Sequence, residues 1–386
     1  MVVFDVTYRC NLSCSYCNRN ANKTTPKARE LNINQWIKIY EQLNKSNHLK
    51  NLENKKFSFS IEGGEPLLRR DLYILIKQIR NDIPKPYTLN NLEELRKIRK
   101  DANYTTSEIK KLFAYFYIPK LSITSNGTIR RSDILQNPPD EMCISLHKQV
   151  PRWTFINTVN FYSKSIFTTI MLPVSNTSHK AVYDVISSLC APTFDNLYVF
   201  PIVPVGRAQE NYVWVRNEQY WLFIKVFLKR FKQVNCKAKP TVEVQIPTIF
   251  KAYLNMKYDL SIDNLINMFP EVDFVEHSCN AYNFDTFEGL NQLTINPFGY
   301  VSGCCMMSNI PYFYIGNLLF EPLESILSGN KALYFKELFK KARDNSVCHS
   351  MCTLQNTCMG GCPVVRFLSH GNIYGQDIRC PNIGGD

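Results

Sequence analysis

Nowhere in the 386 residues does an apolar run reach the length of a membrane span, although hydrophobic residues make up 45% of the chain. The opening Met1-Val2-Val3-Phe4-Asp5 is too short for a secretory signal and carries an acid too early. Together these absences make the cytosol the expected compartment and leave no expected contact with a membrane. No block of about five or six basic residues occurs, so nucleic acid is not an expected partner. The formal charge is nonetheless +12, from 45 Lys and Arg against 33 Asp and Glu. A moderately basic surface suits an acidic peptide, or it simply keeps the protein solvated. There are no internal repeats and no low-complexity tracts. The apolar content is enough for a packed core, and the length suits one large α/β domain with a smaller companion.

What the chain has in excess is cysteine, 14 in all. Disulfides are unusual in the cytosol, so metal thiolates are the better expectation. Eleven of the 14 lie in two zones, 10–17 and 279–380, while Cys143, Cys190 and Cys236 are scattered and read as ordinary buried thiols. The first zone is Cys10, Cys14 and Cys17, with three residues in the first gap and two in the second. Three thiolates on one short loop can hold three irons of a cubane and leave the fourth open for reaction. A structural zinc site is the bland alternative. It wants four ligands, and the next Cys and His are Cys143 and His48.

Strand and helix patterns alternate along the first two thirds. Val2–Thr7 reads as a buried strand feeding the cysteine loop, and 57–61 as a second strand running into Glu62-Gly63-Gly64-Glu65-Pro66. Further strands read over 121–124, ending at Ser125-Asn126-Gly127, and over 142–146, 166–172 and 197–202. Helical periods fall over 33–43, over 71–80 with Asp71 as cap, and over 217–231. Such alternation predicts a parallel sheet whose reactive residues sit at the strand C-termini. Residues 84–118 do not fit the repeat and read as an inserted helical hairpin, either shaping the substrate entrance or decorating the surface. The chain divides into 1–232, a linker at 233–270, and a C-terminal part at 271–386.

The cysteine spacing, the Gly63-Gly64-Glu65-Pro66 run and the Ser125-Asn126-Gly127 turn resemble radical S-adenosylmethionine (SAM) enzymes. Cys279, the Leu293–Ser302 hairpin pattern, Gly299 with Cys304, Ile315-Gly316-Asn317, and the series Cys348, Cys352, Cys358, Cys362 and Cys380 resemble the SPASM extension of that family. The resemblance implies an α/β fold: a partial (β/α)6 barrel, then a small SPASM domain with a β-hairpin and helices. It implies three four-iron clusters. One would sit on Cys10, Cys14 and Cys17, with its open iron binding SAM. Of two auxiliary clusters, one would take Cys348, Cys352, Cys358 and Cys380, and the other Cys279, Cys304 and Cys362. Where the family often has a further cysteine, this chain has Asp285, so Asp285, Cys305, a substrate thiolate or water would complete that second set.

For SAM itself, the resemblance implies contacts from Gly63, Gly64 and Glu65, with Glu65 accepting from the amino group, and from Ser125 and Asn126 at the ribose. Ser145 is a weaker candidate for the ribose, and Tyr16 is expected beside the cluster or the adenine. Pro204-Val205-Gly206-Arg207-Ala208 resembles a recurring turn after the sixth strand, where Arg207 would meet cofactor or substrate. The implied activity is reductive cleavage of SAM to a 5′-deoxyadenosyl radical that oxidises or cross-links a ribosomally made peptide, through a thioether or a carbon–carbon bond. A flavodoxin or ferredoxin would supply the electron. Because the chain starts at the first strand, recognition of a leader peptide would fall to a separate protein, the barrel surface or the inserted hairpin. Sulfatase maturation and sugar or aminocyclitol dehydrogenation are alternatives within the family. An iron-sulfur electron carrier and a zinc-binding interaction module are the alternatives outside it. No catalytic base can be named from the sequence.

Overall fold

The computed structural model describes residues 1–24, 30–46, 58–83, 92–94, 96–97, 121–277, 279, 281, 292–344, 358 and 360–381. Their organising element is one mixed sheet. Eight strands follow one another in chain order and run parallel: β1 (Val2–Thr7), β2 (Phe59–Gly63), β3 (Leu121–Ser125), β4 (Glu141–Ser145), β5 (Phe167–Val174), β6 (Asn196–Pro201), β7 (Thr241–Pro247) and β8 (Val272–His277). Three short strands extend the sheet on the other side of β1: β9 (Leu293–Ile295), β10 (Tyr300–Ser302) and β11 (Gly316–Asn317). β9 lies parallel to β1 with Val2 opposite Leu293, and β10 and β11 complete an antiparallel meander. Among the described residues the sheet is open, with β8 and β11 at its edges.

Residues of alternate parity face opposite sides of a strand, and the two faces of this sheet differ in chemistry. Val2, Phe4 and Val6, Phe59 and Ile61, Leu121 and Ile123, Met142 and Ile144, and Val242, Val244 and Ile246 point into one continuous apolar core. The crossover helices cover that face. Helix Ile33–Lys45 starts from a capping box between Asn32 and Gln35 and buries Trp36, Ile39, Tyr40 and Leu43, the spacing of one helical stripe. Phe4 sits between Trp36 and Phe59, with ring centroids 5.3 and 5.4 Å away. The opposite face carries Asp5, Ser60, Glu62, Ser122, Glu141, Cys143, Thr169, Tyr198 and Glu243. Their hydrogen bonds run across the strands, for example Ser122 Oγ to Ser60 Oγ at 3.1 Å and Asn196 Nδ2 to Glu243 Oε1 at 3.2 Å.

The parallel run does not stop at the six strands expected. Thr241–Pro247, within the stretch read as linker, alternates between half-buried and buried positions and pairs with β6, Asn196 opposite Thr241. Helices Thr248–Tyr258 and Ile262–Met268 then lead to β8. Asp71 precedes helix Leu72–Asp82 but makes no side-chain cap, because Arg69 holds its carboxylate at 2.9 Å. Cys190 and Cys236, read as separate thiols, are joined by a disulfide. Their approach follows from the backbone, where Lys237 N donates to Cys190 O at 3.1 Å. Cys143 is a free, half-buried thiol on β4.

Most of the inserted hairpin lies outside the described residues. Of its described part, Arg96 bonds the Asp195 carboxylate at 2.8 and 2.9 Å and the Ser163 carbonyl at 2.5 Å. Asp195 immediately precedes β6, so this anchor is at the N-terminal end of the strands, away from the end that carries the cysteine loop. Among the described residues no helix is long and apolar enough to cross a membrane.

Truncating Phe4 to Ala removes a fully buried ring from between Trp36 and Phe59. The expected cost is about 3–5 kcal/mol, seen as a lower denaturant midpoint at unchanged iron content. A loss of under about 1 kcal/mol would mean that this aromatic layer does not hold β1.

Candidate functional site

The loop after β1 is fixed by backbone contacts that exclude side chains. Gly64 N donates to Thr7 O at 2.6 Å and Glu65 N to Arg9 O at 2.9 Å. A β-carbon on Gly63 would fall on the Thr7 carbonyl oxygen, and one on Gly64 on the Arg9 carbonyl oxygen. Gly63 also has φ +128°, which L side chains rarely adopt. The glycines expected to let a ligand approach are thus first required for the approach of the protein's own strand. From below, the Glu30 carboxylate takes Tyr8 N at 2.8 Å, Thr7 Oγ1 at 2.8 Å and Arg9 Nε at 3.2 Å.

Arg207 clamps the other side of the loop. Its Nε donates to Cys14 O at 2.8 Å, its Nη2 to Ala21 O at 2.7 Å, and its backbone N to Cys17 O at 3.1 Å. Gly206 has φ +59°, and a β-carbon there would lie 2.6 Å from Cys17 O. Arg207, expected against cofactor or substrate, instead gives its guanidinium to backbone carbonyls of the cysteine loop.

Two donors already point at the Cys10 sulfur, Leu12 N at 3.4 Å and Asn126 Nδ2 at 3.5 Å. Asn126 also bonds Asn11 Oδ1 at 2.8 Å. The turn carrying Ser125 and Asn126 is held by Glu65, which is fully buried. Its carboxylate takes Asn126 N at 2.7 Å, Leu67 N at 3.0 Å and Ser125 Oγ at 3.1 Å. Burial outweighs these hydrogen bonds and pushes the Glu65 carboxyl up to about 7. An amino group of SAM would have to share this carboxylate with the turn. Ser145 ends β4 beside the same turn: its carbonyl oxygen is 4.0 Å from where a Gly127 β-carbon would be.

Around Cys14 the partners come from the segment after β4. The Tyr16 hydroxyl is 2.7 Å from His147 Nδ1, and the two rings lie nearly parallel, 5.8 Å apart at 19°. Cys14 Sγ is 3.7 Å from that same Nδ1 and 3.7 Å from Gln149 Oε1. Burial holds His147 down at about 4, so the imidazole is neutral at physiological pH. His147 and Gln149 were not singled out from the sequence, although they follow a strand C-terminus, where reactive residues of parallel sheets gather.

Beyond Cys17, Arg19 reaches the polar face and pairs with Asp5 at 2.8 Å and Glu62 at 2.6 Å. Asp5 also accepts from Ser308 Oγ, and Tyr8 OH donates to Ser308 O at 2.6 Å. This buried network links the N-terminal cysteine loop to the segment just after Cys304 and Cys305. Farther along the face, Glu141 takes the Thr169 hydroxyl, and burial pushes its carboxyl up to about 7.

Of the C-terminal cysteines, Cys358 and Cys380 come together against Ile249 and Ala252 of helix Thr248–Tyr258. Cys362 starts helix Pro363–His370, and its N donates to Asp377 Oδ2 at 2.9 Å. Cys279 acts electrostatically on Cys304, which also meets Cys305. The two adjacent cysteines do not point apart, because Cys304 is extended and Cys305 begins a tight helical turn. Cys348, Cys352 and Asp285 lie outside the described residues.

A family model for the SPASM iron-sulfur cluster-binding domain matches residues 287–353. The whole architecture matches solved structures of SuiB from Streptococcus suis. SuiB bound to S-adenosylmethionine aligns with TM-score 0.61 and 15% identity, covering 98% of this chain and 76% of SuiB. The fold is that of SuiB, and residues 287–353 carry the SPASM match. SuiB bound to its precursor peptide SuiA gives TM-score 0.61, 14% identity and coverage of 98% and 75%. BtrN in complex with AdoMet and 2-DOIA, at TM-score 0.38 and 13% identity over 90% of this chain and 91% of its own, is too loose a match to carry meaning.

The donor set fits a radical SAM cluster. Burial, then the fields of Cys17 and Cys10, push the Cys14 thiol up to about 12, so thiolates here need a cation to hold them. Among the described residues no three donors converge on a single metal ion. A cubane makes no such demand, since each iron takes one thiolate at its own corner.

Gly64→Ala is expected to displace the loop and lower iron by about four per chain at unchanged auxiliary content. Full iron in that variant would refute the role given to the Gly64–Arg9 contact. Glu141 supplies a pH test. A carboxyl raised from 4.5 to about 7 on folding contributes stability at low pH that is lost as pH rises toward 7. Wild type should therefore lose stability relative to Glu141→Gln between about pH 4.5 and 7 in parallel thermal melts. Parallel curves would show that Glu141 is ionised in the fold.

Proposed function

We propose that this chain is a peptide maturase: a radical SAM enzyme that oxidises or cross-links a ribosomally made peptide. The observation that carries the reading is the three-thiol loop, with two donors aimed at the Cys10 sulfur, set in a fold that matches SuiB and followed by a SPASM domain. SuiB is known in complex with a precursor peptide, which favours a peptide over a small molecule as substrate class.

In this reading Cys10, Cys14 and Cys17 hold the SAM-binding four-iron cluster. Gly63, Gly64, Glu65, Ser125, Asn126 and Ser145, with Tyr16, are the residues that would hold SAM. Bound together, cluster and SAM supply a radical able to take hydrogen from an unactivated C–H bond. Cys348, Cys352, Cys358 and Cys380 would hold one auxiliary cluster, and Cys279, Cys304 and Cys362 another whose fourth iron would take Asp285 or stay open to a substrate thiolate or water, in preference to Cys305. The chain's own contribution is positional. Gly63, Gly64 and Arg207 fix the cysteine loop, and the Arg19 network fixes that loop against the SPASM segment. The sheet's polar face offers carboxylates, Glu62 and Glu141 among them, to hold or accept a proton from an oxidised substrate. A flavodoxin or ferredoxin supplies the electron.

Anaerobically reconstituted wild type should carry about twelve irons, and a Cys10/Cys14/Cys17→Ala variant about eight. With SAM and a strong reductant, wild type should release 5′-deoxyadenosine and the variant none. Where a short peptide gene lies beside this one, co-expression with that peptide should remove hydrogen from it, read by mass spectrometry. A fully loaded wild type that never cleaves SAM would overturn the reading.

A further inference from the structure

The contact between Tyr16, His147 and Cys14 goes beyond holding a loop. An imidazole Nδ1 lies 2.7 Å from a phenol oxygen and 3.7 Å from a cysteine sulfur. A neutral imidazole carries a single N–H, and which nitrogen bears it is set by the partners. In the metal-free chain the Tyr16 hydroxyl can donate to Nδ1. Once Cys14 is an iron thiolate its sulfur is only an acceptor, and the one donor that favours both neighbours at once is Nδ1–H. That proton is then shared between the Tyr16 oxygen and the Cys14 sulfur.

Resting on the proposed function, we propose that His147 donates Nδ1–H to the Cys14 thiolate of the loaded cluster, with the Tyr16 oxygen steadying that tautomer, and so raises the cluster's reduction potential. A hydrogen bond to a cluster sulfur stabilises the reduced, more negative state, and such bonds are among the protein's levers on potential. Gln149 stands on the other side of the sulfur. Its Nε2 is held by Ser13 O at 3.2 Å, which turns its Oε1 toward Cys14. In that orientation its oxygen faces the sulfur, and the donors within reach of the thiolate are His147 Nδ1–H and the Tyr16 hydroxyl, which also bonds Cys14.

The test is a redox titration of reconstituted full-length protein, following the electron paramagnetic resonance signal that shifts when SAM is added. Three proteins are compared: wild type, His147→Phe and His147→Asn. The asparagine amide places a nitrogen donor where Nδ1 stands; the phenylalanine keeps the ring and has no donor. His147→Phe should keep its iron and titrate at a more negative potential, and His147→Asn should return toward wild type. An unchanged potential in a fully loaded His147→Phe would overturn the proposal. Should His147→Phe fail to load, His147→Leu, which also lacks a donor, takes its place: a lowered potential supports the donor, and an unchanged one overturns the proposal. Failure of the functional reading is separate, since wild type would then show no SAM-sensitive signal at all.

Discussion

The candidate site depends on a place where two stretches of backbone touch with no room for a side chain. Gly63 and Gly64 lie against Thr7, Tyr8 and Arg9, and their hydrogen bonds turn the chain leaving β1 into the cysteine loop. The direction of that exit sets where three sulfurs stand. Contacts made later in the chain act on a loop already aimed: Glu30 on one side, Gly206 and Arg207 on the other, and the Ser125-Asn126 turn tied down by Glu65. Such a site has little dependence on side-chain rotamers, which suits a group that must be held within a fraction of an ångström.

The second constraint is electrostatic. Arg19 is buried between Asp5 and Glu62, and Asp5 reaches on to Ser308 and Tyr8. Desolvating three charges is costly, and at Asp5 burial outweighs the pull of Arg19 and raises the carboxyl, so the arrangement is not a source of net stability. What this arrangement yields is registry. It ties a loop two residues beyond Cys17 to one three residues beyond Cys305, so the N-terminal thiols and the SPASM segment are positioned by the same guanidinium.

Much of this was legible. The first six strands were found to within about two residues, because each is a short apolar run bounded by turn residues. The Leu293–Ser302 hairpin was legible from its Asn-Pro-Phe-Gly turn. Two further parallel strands, Thr241–Pro247 and Val272–His277, carry the alternation of half-buried strands but fell outside the six-strand expectation, and Pro240 and Pro247 drew the first into the linker. Arg207 was found as part of a turn, but the group it would touch belongs to a loop nearly 200 residues earlier. The disulfide joins residues 46 apart whose meeting depends on helix packing. Motifs report which residues are needed; they are silent on whether a glycine makes room for a ligand or for the protein.

The placement of β1 has a consequence for how the molecule is made. Its two neighbours come from opposite ends of the text: β2 arrives within about 60 residues, but β9 is 291 positions away from Val2. At ribosomal rates of roughly 5–20 residues per second, one side of an apolar strand waits on the order of tens of seconds for its partner. An unpaired strand edge is a template for association with other chains. The last part of the sheet to be synthesised is therefore also its seal, and a ribosome that stalls before residue 293 leaves a fully buried strand with an open flank.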